Sequence, residues 1–191
     1  MVDVLFVAGG LCAIIRATSL RRITLIRRNK FQGRVCHAEM KPEAGDRAPD
    51  FVLPDADGRK HSLKDLLAGH KALVLYFYPK DDTPGCTTEA CGFRDSLPKL
   101  KARGVNVVGV SVDGPESHRK FIKKYNLNFT LLSDVGGKVA SLYNAYSEEK
   151  GRALRKTFII DGHGVIRAAY HKVHAEGHDG EVLAKLEELG L

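Results

Sequence analysis

Ala72-Leu-Val-Leu-Tyr-Phe-Tyr78 runs directly into Pro79-Lys-Asp-Asp-Thr83-Pro-Gly-Cys86-Thr-Thr-Glu-Ala-Cys91. The first segment has no charge and is rich in β-formers, and a continuous apolar run of that length is a strand buried on both faces. The second turns on Pro and Asp and then opens a helix, expected from about Gly85 to Arg103. Upstream, Phe51-Val52-Leu53, the turn Asp57-Gly58 and a short helix capped by Ser62 and running to Leu67 complete the approach to the strand. Downstream, Val105 to Val112 reads as a second buried strand, Ser117 to Tyr125 as a helix, Phe129 to Leu132 as a short strand and Gly137 to Tyr143 as a helix. Thr157 to Asp161 is then a strand, turned back by Gly162-His163-Gly164 into Val165 to Tyr170, and Glu181 to Leu189 closes the chain as an amphipathic helix. Strands and helices alternate in the middle and an antiparallel hairpin comes near the end. The pattern predicts an α/β fold, a central mixed β-sheet with helices on both faces. No internal repeat or low-complexity segment interrupts it.

The chain has 191 residues and a net charge of +7, which suggests a polyanion partner until the charge is located. Residues 1–38 hold seven basic residues (Arg16, Arg21, Arg22, Arg27, Arg28, Lys30, Arg34) against the single acid Asp3, a net +6, so +1 is left for the rest. A body so nearly neutral has no footprint for nucleic acid. Two parts are therefore expected: a basic, poorly ordered leader over 1–39, and one domain over 40–191. The leader reads either as an organellar transit segment, being Arg-rich and acid-poor, or as a mispredicted start, since Met40-Lys41-Pro42 begins a complete domain. Its apolar stretch Val4 to Ile15 is too short to span a bilayer as a helix, and no membrane partner is expected. Four cysteines, two of them (Cys12 and Cys36) in the leader and given no function, do not make a secreted disulfide scaffold. The expected location is the cytoplasm, with a plastid or mitochondrion as the alternative if the leader is a transit peptide.

Cys86 stands just beyond the carboxyl end of a central strand, where open α/β sheets bind their ligands. It also falls in the first turn of a helix, where free backbone N–H groups and the positive end of the dipole favour a thiolate. An ordinary thiol is about 3% ionised at pH 7, so full ionisation raises the reactive fraction only about 30-fold. Donors that polarise the substrate must supply the rest, and Thr83 and a distant arginine are candidates. Residues at i and i+5 on one helix have Cα atoms roughly 8.6 Å apart, whereas a disulfide needs less than about 7 Å. If Cys86 and Cys91 share a helix, they bond only after it unwinds locally. A zinc site is a weak reading, because the usual pairing has two to four intervening residues and a second ligand pair, and the body has no further cysteine. Cys91, beside Phe93, divides evenly on residues alone between a reactive thiol and a core position.

Pro79-x-x-x-Thr83-x-x-Cys86 resembles the peroxiredoxin active-site signature, and Cys86 with Cys91 inside TPGCTTEAC resembles its Q type, also called bacterioferritin comigratory protein. The resemblance runs from about Gly45 to the C-terminus. It implies a thioredoxin-like fold and a thiol peroxidase that reduces hydrogen peroxide and organic hydroperoxides in antioxidant defence. Cys86 would be the peroxidatic cysteine and Cys91 the resolving one, joined in an intramolecular disulfide that thioredoxin or a similar dithiol reduces. Pro79 would shield the sulfur and Thr83 would bond the peroxide. Arg155, oriented by Glu89, would stabilise thiolate and transition state. Such chemistry needs no metal, haem or flavin, and none is expected; the oligomeric state is expected to be a monomer or weak dimer.

Without the signature, Thr83 is an ordinary turn residue, Arg155 a solvated charge at a strand edge and Glu89 an acid favoured by the helix dipole. His171, His174, His178 and Asp179 invite a metal reading, but their irregular spacing before the last helix favours solvated or capping roles. Gly136-Gly137 and Gly162-x-Gly164 lack the flanks of a phosphate loop and read as turns. A thioredoxin-like disulfide oxidoreductase is the rival class, and the C-x-x-C motif it would carry is absent. A binding domain with a vestigial site is the remaining alternative.

Overall fold

The computed structural model describes residues 41–191 and two dipeptide strands ahead of them, β1 (Val7–Ala8) and β2 (Leu11–Cys12), paired antiparallel. The chain divides into two units, Met1–Ala38 and Glu39–Leu191, and the second carries the site. The readings of the leader as poorly ordered, as a transit segment or as a false start, and the position of Cys36, lie outside the described residues.

The second unit begins with a hairpin of β3 (Val52–Pro54) and β4 (Lys60–Ser62), which leads into α1 (Leu63–Leu67). Ser62 caps that helix as its sequence suggests. Its Oγ accepts from the Asp65 N–H, and the Asp65 carboxylate accepts from the Ser62 N–H. A five-stranded sheet follows in the order β11-β10-β5-β6-β7. β5 (Ala72–Phe77) lies at its centre, with β6 (Val105–Ser111) and β7 (Thr130–Ser133) running parallel to it on one side. β10 (Lys156–Asp161) pairs antiparallel on the other side and carries β11 (Ile166–Tyr170) as the outer hairpin strand. The sheet is therefore mixed, as the alternation of elements predicted.

Every residue of β5 is buried, and its period-2 alternation divides the core in two. Leu73, Leu75 and Phe77 face a cluster that includes Leu63 and Leu66 of α1 and Val139 and Ala140 of α4 (Lys138–Leu142). Val74 and Tyr76, with Tyr78 just beyond, face a second cluster. That cluster holds Phe93, Leu97 and Leu100 of α2 (Pro84–Ala102), Phe121 of α3 (Pro115–Tyr125), and Val182 and Leu186 of α5 (His178–Leu189). Each fully buried Leu or Phe contributes about 1.5–3 kcal/mol, so the strand is fastened from both sides. Gly109 of β6 belongs to the same packing, because a Cβ there would stand 2.7 Å from the Tyr76 hydroxyl.

Most element bounds match the sequence pattern to within a residue or two. One exception is α5, which begins at His178 and not at Glu181. Gly180 argued for a later start, but it lies inside the first turn, and the chain enters the helix through Gly177 at φ 75. The short hairpin of β8 (Tyr146–Ser147) and β9 (Arg152–Ala153) was not foreseen, since two-residue strands carry no periodic signal. A second feature bears on the site. Pro98 lies inside α2 and has no N–H, so the Arg94 carbonyl lacks its intrahelical donor.

Candidate active site

The chain leaves β5 at Phe77 and passes through Tyr78 and Pro79 into a tight loop. It re-enters regular structure at Thr83, which takes the N-cap position of α2 with extended backbone (φ −92, ψ 150). Pro84 at the first helical position suits the fixed φ of proline and loses no intrahelical bond. The Thr83 hydroxyl does not cap the helix; it donates to the Lys80 carbonyl at 3.1 Å. The first-turn N–H groups are thus left to whatever anion occupies the helix start. Cys86 lies in that turn, 1% exposed, as a free thiol.

Arg155 comes from the opposite side of the sequence, one residue before β10. Its Nη2 donates to Cys86 Sγ at 3.2 Å and its Nη1 pairs with Glu89 Oε2. Gly85 makes room for this, because a Cβ there would sit 3.3 Å from Arg155 Nη2. Burial pulls the guanidinium towards the neutral form, but Glu89 and Cys86 outweigh it and hold Arg155 above its usual range. Glu89 is 1% exposed, and burial pushes its carboxyl up to about 7 against the opposing pull of Arg155. Among the described residues, its second oxygen, Oε1, has no hydrogen-bond partner, nor does the buried Tyr76 hydroxyl.

Arg155 therefore contacts both Cys86 and Glu89. Thr83 stands at the start of the same helix, and Pro79 is half-buried at the start of the loop. Cys91 is on α2 as well, half-buried and free. Both thiols thus lie in one helix, which keeps their Cα atoms roughly 8.6 Å apart, beyond disulfide reach.

The histidines separate. His171 Nε2 is 3.1 Å from Glu43 Oε1, and His174 is exposed. His178 corrects the sequence reading: it is neither solvated nor a cap but fully buried, with Nε2 2.8 Å from Thr157 Oγ1 and Nδ1 3.1 Å from Glu181 Oε2. Its ring packs edge-on against Phe93 and Tyr170, and burial lowers its pKa. It was misread because Gly177 and Gly180 made the segment look like an open loop. Among the described residues, no group of three or more His, Cys, Asp or Glu is arranged to hold a metal ion.

Sequence reasoning also missed a polar network beneath the loop. Tyr78 and His118 both bond the Asp81 carboxylate, and all three residues are buried. The partners lie up to 40 positions apart, and no local pattern announces them.

Residues 44–169 match the model of the AhpC/TSA family. A putative peroxiredoxin bcp of Coxiella burnetii is 47% identical over 153 residues, which is 77% of this chain and 100% of that protein. The chloroplastic peroxiredoxin Q of Sedum lineare is 44% identical over 151 residues, 78% of this chain and 80% of its own. Among solved structures, the bacterioferritin comigratory protein of Xanthomonas campestris superposes with a TM-score of 0.67 at 34% identity. That match covers 74% of this chain and 92% of the other, whose structure was determined to explain its alkyl peroxide reduction activity. Fold and site together define a thiol peroxidase of thioredoxin-like architecture. The chain belongs to the AhpC/TSA family, among the peroxiredoxins of the bcp or Q kind.

Proposed function

We propose that Cys86 is the peroxidatic cysteine, Cys91 the resolving one, and that hydrogen peroxide and alkyl hydroperoxides are the substrates. The observation that carries this reading is the Arg155 guanidinium 3.2 Å from a buried cysteine sulfur at a helix start. A cation and a helix N-terminus both favour the thiolate, and the same donors remain in place for the charge that develops on the peroxide. The Cys86 thiolate attacks the terminal peroxide oxygen. An S–O bond forms as the O–O bond breaks, and the departing oxygen takes a proton to leave as water or alcohol. The proton of Thr83 Oγ1 is committed to the Lys80 carbonyl, so the hydroxyl offers the peroxide a lone pair and accepts its O–H. Pro79 shields the sulfur and Glu89 aims Arg155.

The sulfenic acid on Cys86 then condenses with the Cys91 thiol, releasing water and forming the intramolecular disulfide, once the helix between them has opened. An external dithiol of the thioredoxin type supplies two electrons and two protons and restores both thiols. The working unit is the 40–191 domain, as a monomer or weak dimer in the cytoplasm, or in a plastid or mitochondrion if the leader directs it there. The leader takes no part in the chemistry. Deleting residues 1–39 is therefore expected to leave turnover and melting temperature unchanged, and a large loss of either would assign the leader a structural role.

Steady-state turnover with thioredoxin against glutaredoxin, across hydrogen peroxide and several alkyl hydroperoxides, tests the reading. The expected result is turnover with thioredoxin that vanishes in Cys86→Ser. Substantial activity in that variant would overturn it.

A further inference from the structure

Between β5 and α2 the chain must place Pro79 and Thr83 around Cys86, and it does so through a loop of unusual backbone. Asp82 takes the left-handed conformation (φ 55), uncommon for a non-glycine residue although Asp enters it more readily than most. The loop is held by α3, an element outside the active-site signature. It grips two successive loop residues from positions spaced along one face. His118 Nδ1 bonds Asp81 Oδ2 at 2.9 Å, and two turns further on Lys124 Nζ and Tyr125 Oη bond the Asp82 carboxylate at 2.6 Å each.

The two grips differ in kind. Asp82, Lys124 and Tyr125 meet at the surface, where such pairs hold weakly. Asp81 is 6% exposed and His118 is fully buried. The Asp81 carboxylate also accepts from the Tyr78 hydroxyl at 2.7 Å, and its backbone N–H donates to Asp113 Oδ2 at 2.9 Å. Ser111 Oγ, at the end of β6, holds Asp113 in turn at 2.8 Å. Asp81 is thus tied at once to Tyr78 just beyond β5, to Asp113 just beyond β6 and to α3. Among the described residues His118 keeps its other ring nitrogen, Nε2, buried and unpartnered, so its polar contacts in the core are those of Nδ1 to Asp81 in the loop and to the adjoining Tyr78.

We infer that Asp81 and His118 are positioning residues for the peroxide step: they fix the loop so that Thr83 meets a peroxide arriving at Cys86. The inference rests on the assignment of Thr83 to the peroxide made above. It predicts an effect on oxidation of Cys86 and none on its thiolate fraction, because Arg155 is held separately by Glu89 and by its attachment to β10.

The test is a double-mutant cycle on the second-order rate of Cys86 oxidation, in the full-length protein with hydrogen peroxide. His118→Leu keeps apolar volume and removes the bond, and a displacement of about 1 Å at a reacting centre costs up to a hundredfold. A fall of about tenfold to a hundredfold is expected, with the ultraviolet absorbance of the thiolate unchanged across pH. His118→Asn, whose amide can donate near the Nδ1 position, is expected to recover most of the rate. In a Thr83→Val background, His118→Leu is expected to add nothing. Should His118→Leu fail to fold, Asp81→Asn reads the same cycle in milder form. Native rates in His118→Leu, or a loss that persists undiminished in the Thr83→Val background, would overturn the inference alone. Native rates in Thr83→Val itself would overturn the assignment of Thr83 and this inference with it.

Discussion

β5 and the first half of α2 meet at the active-site loop and are built on opposite principles. β5 is hydrogen-bonded on both edges, by β10 and β6, and every one of its residues is buried against apolar neighbours. The stretch from Pro84 to Arg94 holds Gly85 and Gly92, each costing a helix about 1 kcal/mol against alanine. Among the described residues it also buries the Thr87 hydroxyl and one Glu89 oxygen without partners, and it ends where Pro98 takes away the helical donor of the Arg94 carbonyl. Poor helix formers and unsatisfied polar groups are concentrated in the one segment whose cysteines are too far apart to bond while it is intact. The strand gives the site a fixed floor, and the helix would have to open for its two cysteines to join.

The sharpest way to break this contrast is to remove the thiols. Cys86→Ser should abolish peroxide reduction while leaving the melting temperature within a few degrees, since the floor is made by the sheet; a collapse of the fold would show that the two regions are not separable. Cys91→Ser should still react once with peroxide, lose disulfide-linked turnover and pass more readily to sulfinic acid, as seen by mass. Normal cycling with thioredoxin would mean that another thiol resolves the site.

Next in size are the groups that prepare the sulfur. Arg155→Ala and Thr83→Val should each slow Cys86 oxidation by about 10²-fold, the scale of one transition-state donor. Unchanged single-turnover kinetics in either variant would remove that residue from the mechanism. Hydrogen exchange probes the contrast itself: amides 86–94 should exchange faster in the disulfide form than in the reduced form, while those of 72–78 stay protected in both. Equal protection of 86–94 in both states, with the disulfide confirmed by mass, would contradict the two-state helix.

The smallest effect concerns pH. Burial raises the Glu89 carboxyl from 4.5 to about 7. The group's stability contribution is therefore complete below about pH 4.5 and is lost as pH rises through 7. Glu89→Gln should flatten the fall of reduced-state melting temperature across that window, and an unchanged slope would show that Arg155 keeps the carboxylate ionised throughout.

Much of this was legible because it is local. The apolar run 72–78, the turn and the helix start adjoin one another, and a single signature spans Pro79 to Cys91. Arg155 stands 69 positions from Cys86, and only its place in the family pattern singled it out before the structure joined the two. His118, Tyr78 and Asp81 escaped notice because buried polar partnerships across a sheet obey no period. A histidine in the helix Pro115–Tyr125, amid lysines and an arginine, looks like one more solvated residue. His178 was hidden for the converse reason: its glycine neighbours spoke for a loop, and the pocket between Phe93 and Tyr170 that encloses it is formed only in three dimensions.

Pro98 has a further consequence, for proteolysis. Opening that starts near Cys86 meets at Arg94 a carbonyl already without its helical donor, so the released segment ends there and the turn beyond can stay wound. Arg94 is the only basic residue between Lys80 and Lys99. In the reduced protein it is engaged, its Nη1 on the Tyr125 carbonyl and its Nε on Asp95. Opening frees it, and trypsin, which needs an extended chain around its target, gains one site at the border of the loosened stretch. Because both cysteines precede that bond, the disulfide cannot tether the two pieces covalently. If Cys86 and Cys91 form the proposed disulfide, the oxidised state would be marked by a tryptic cut at Arg94 that the reduced domain lacks.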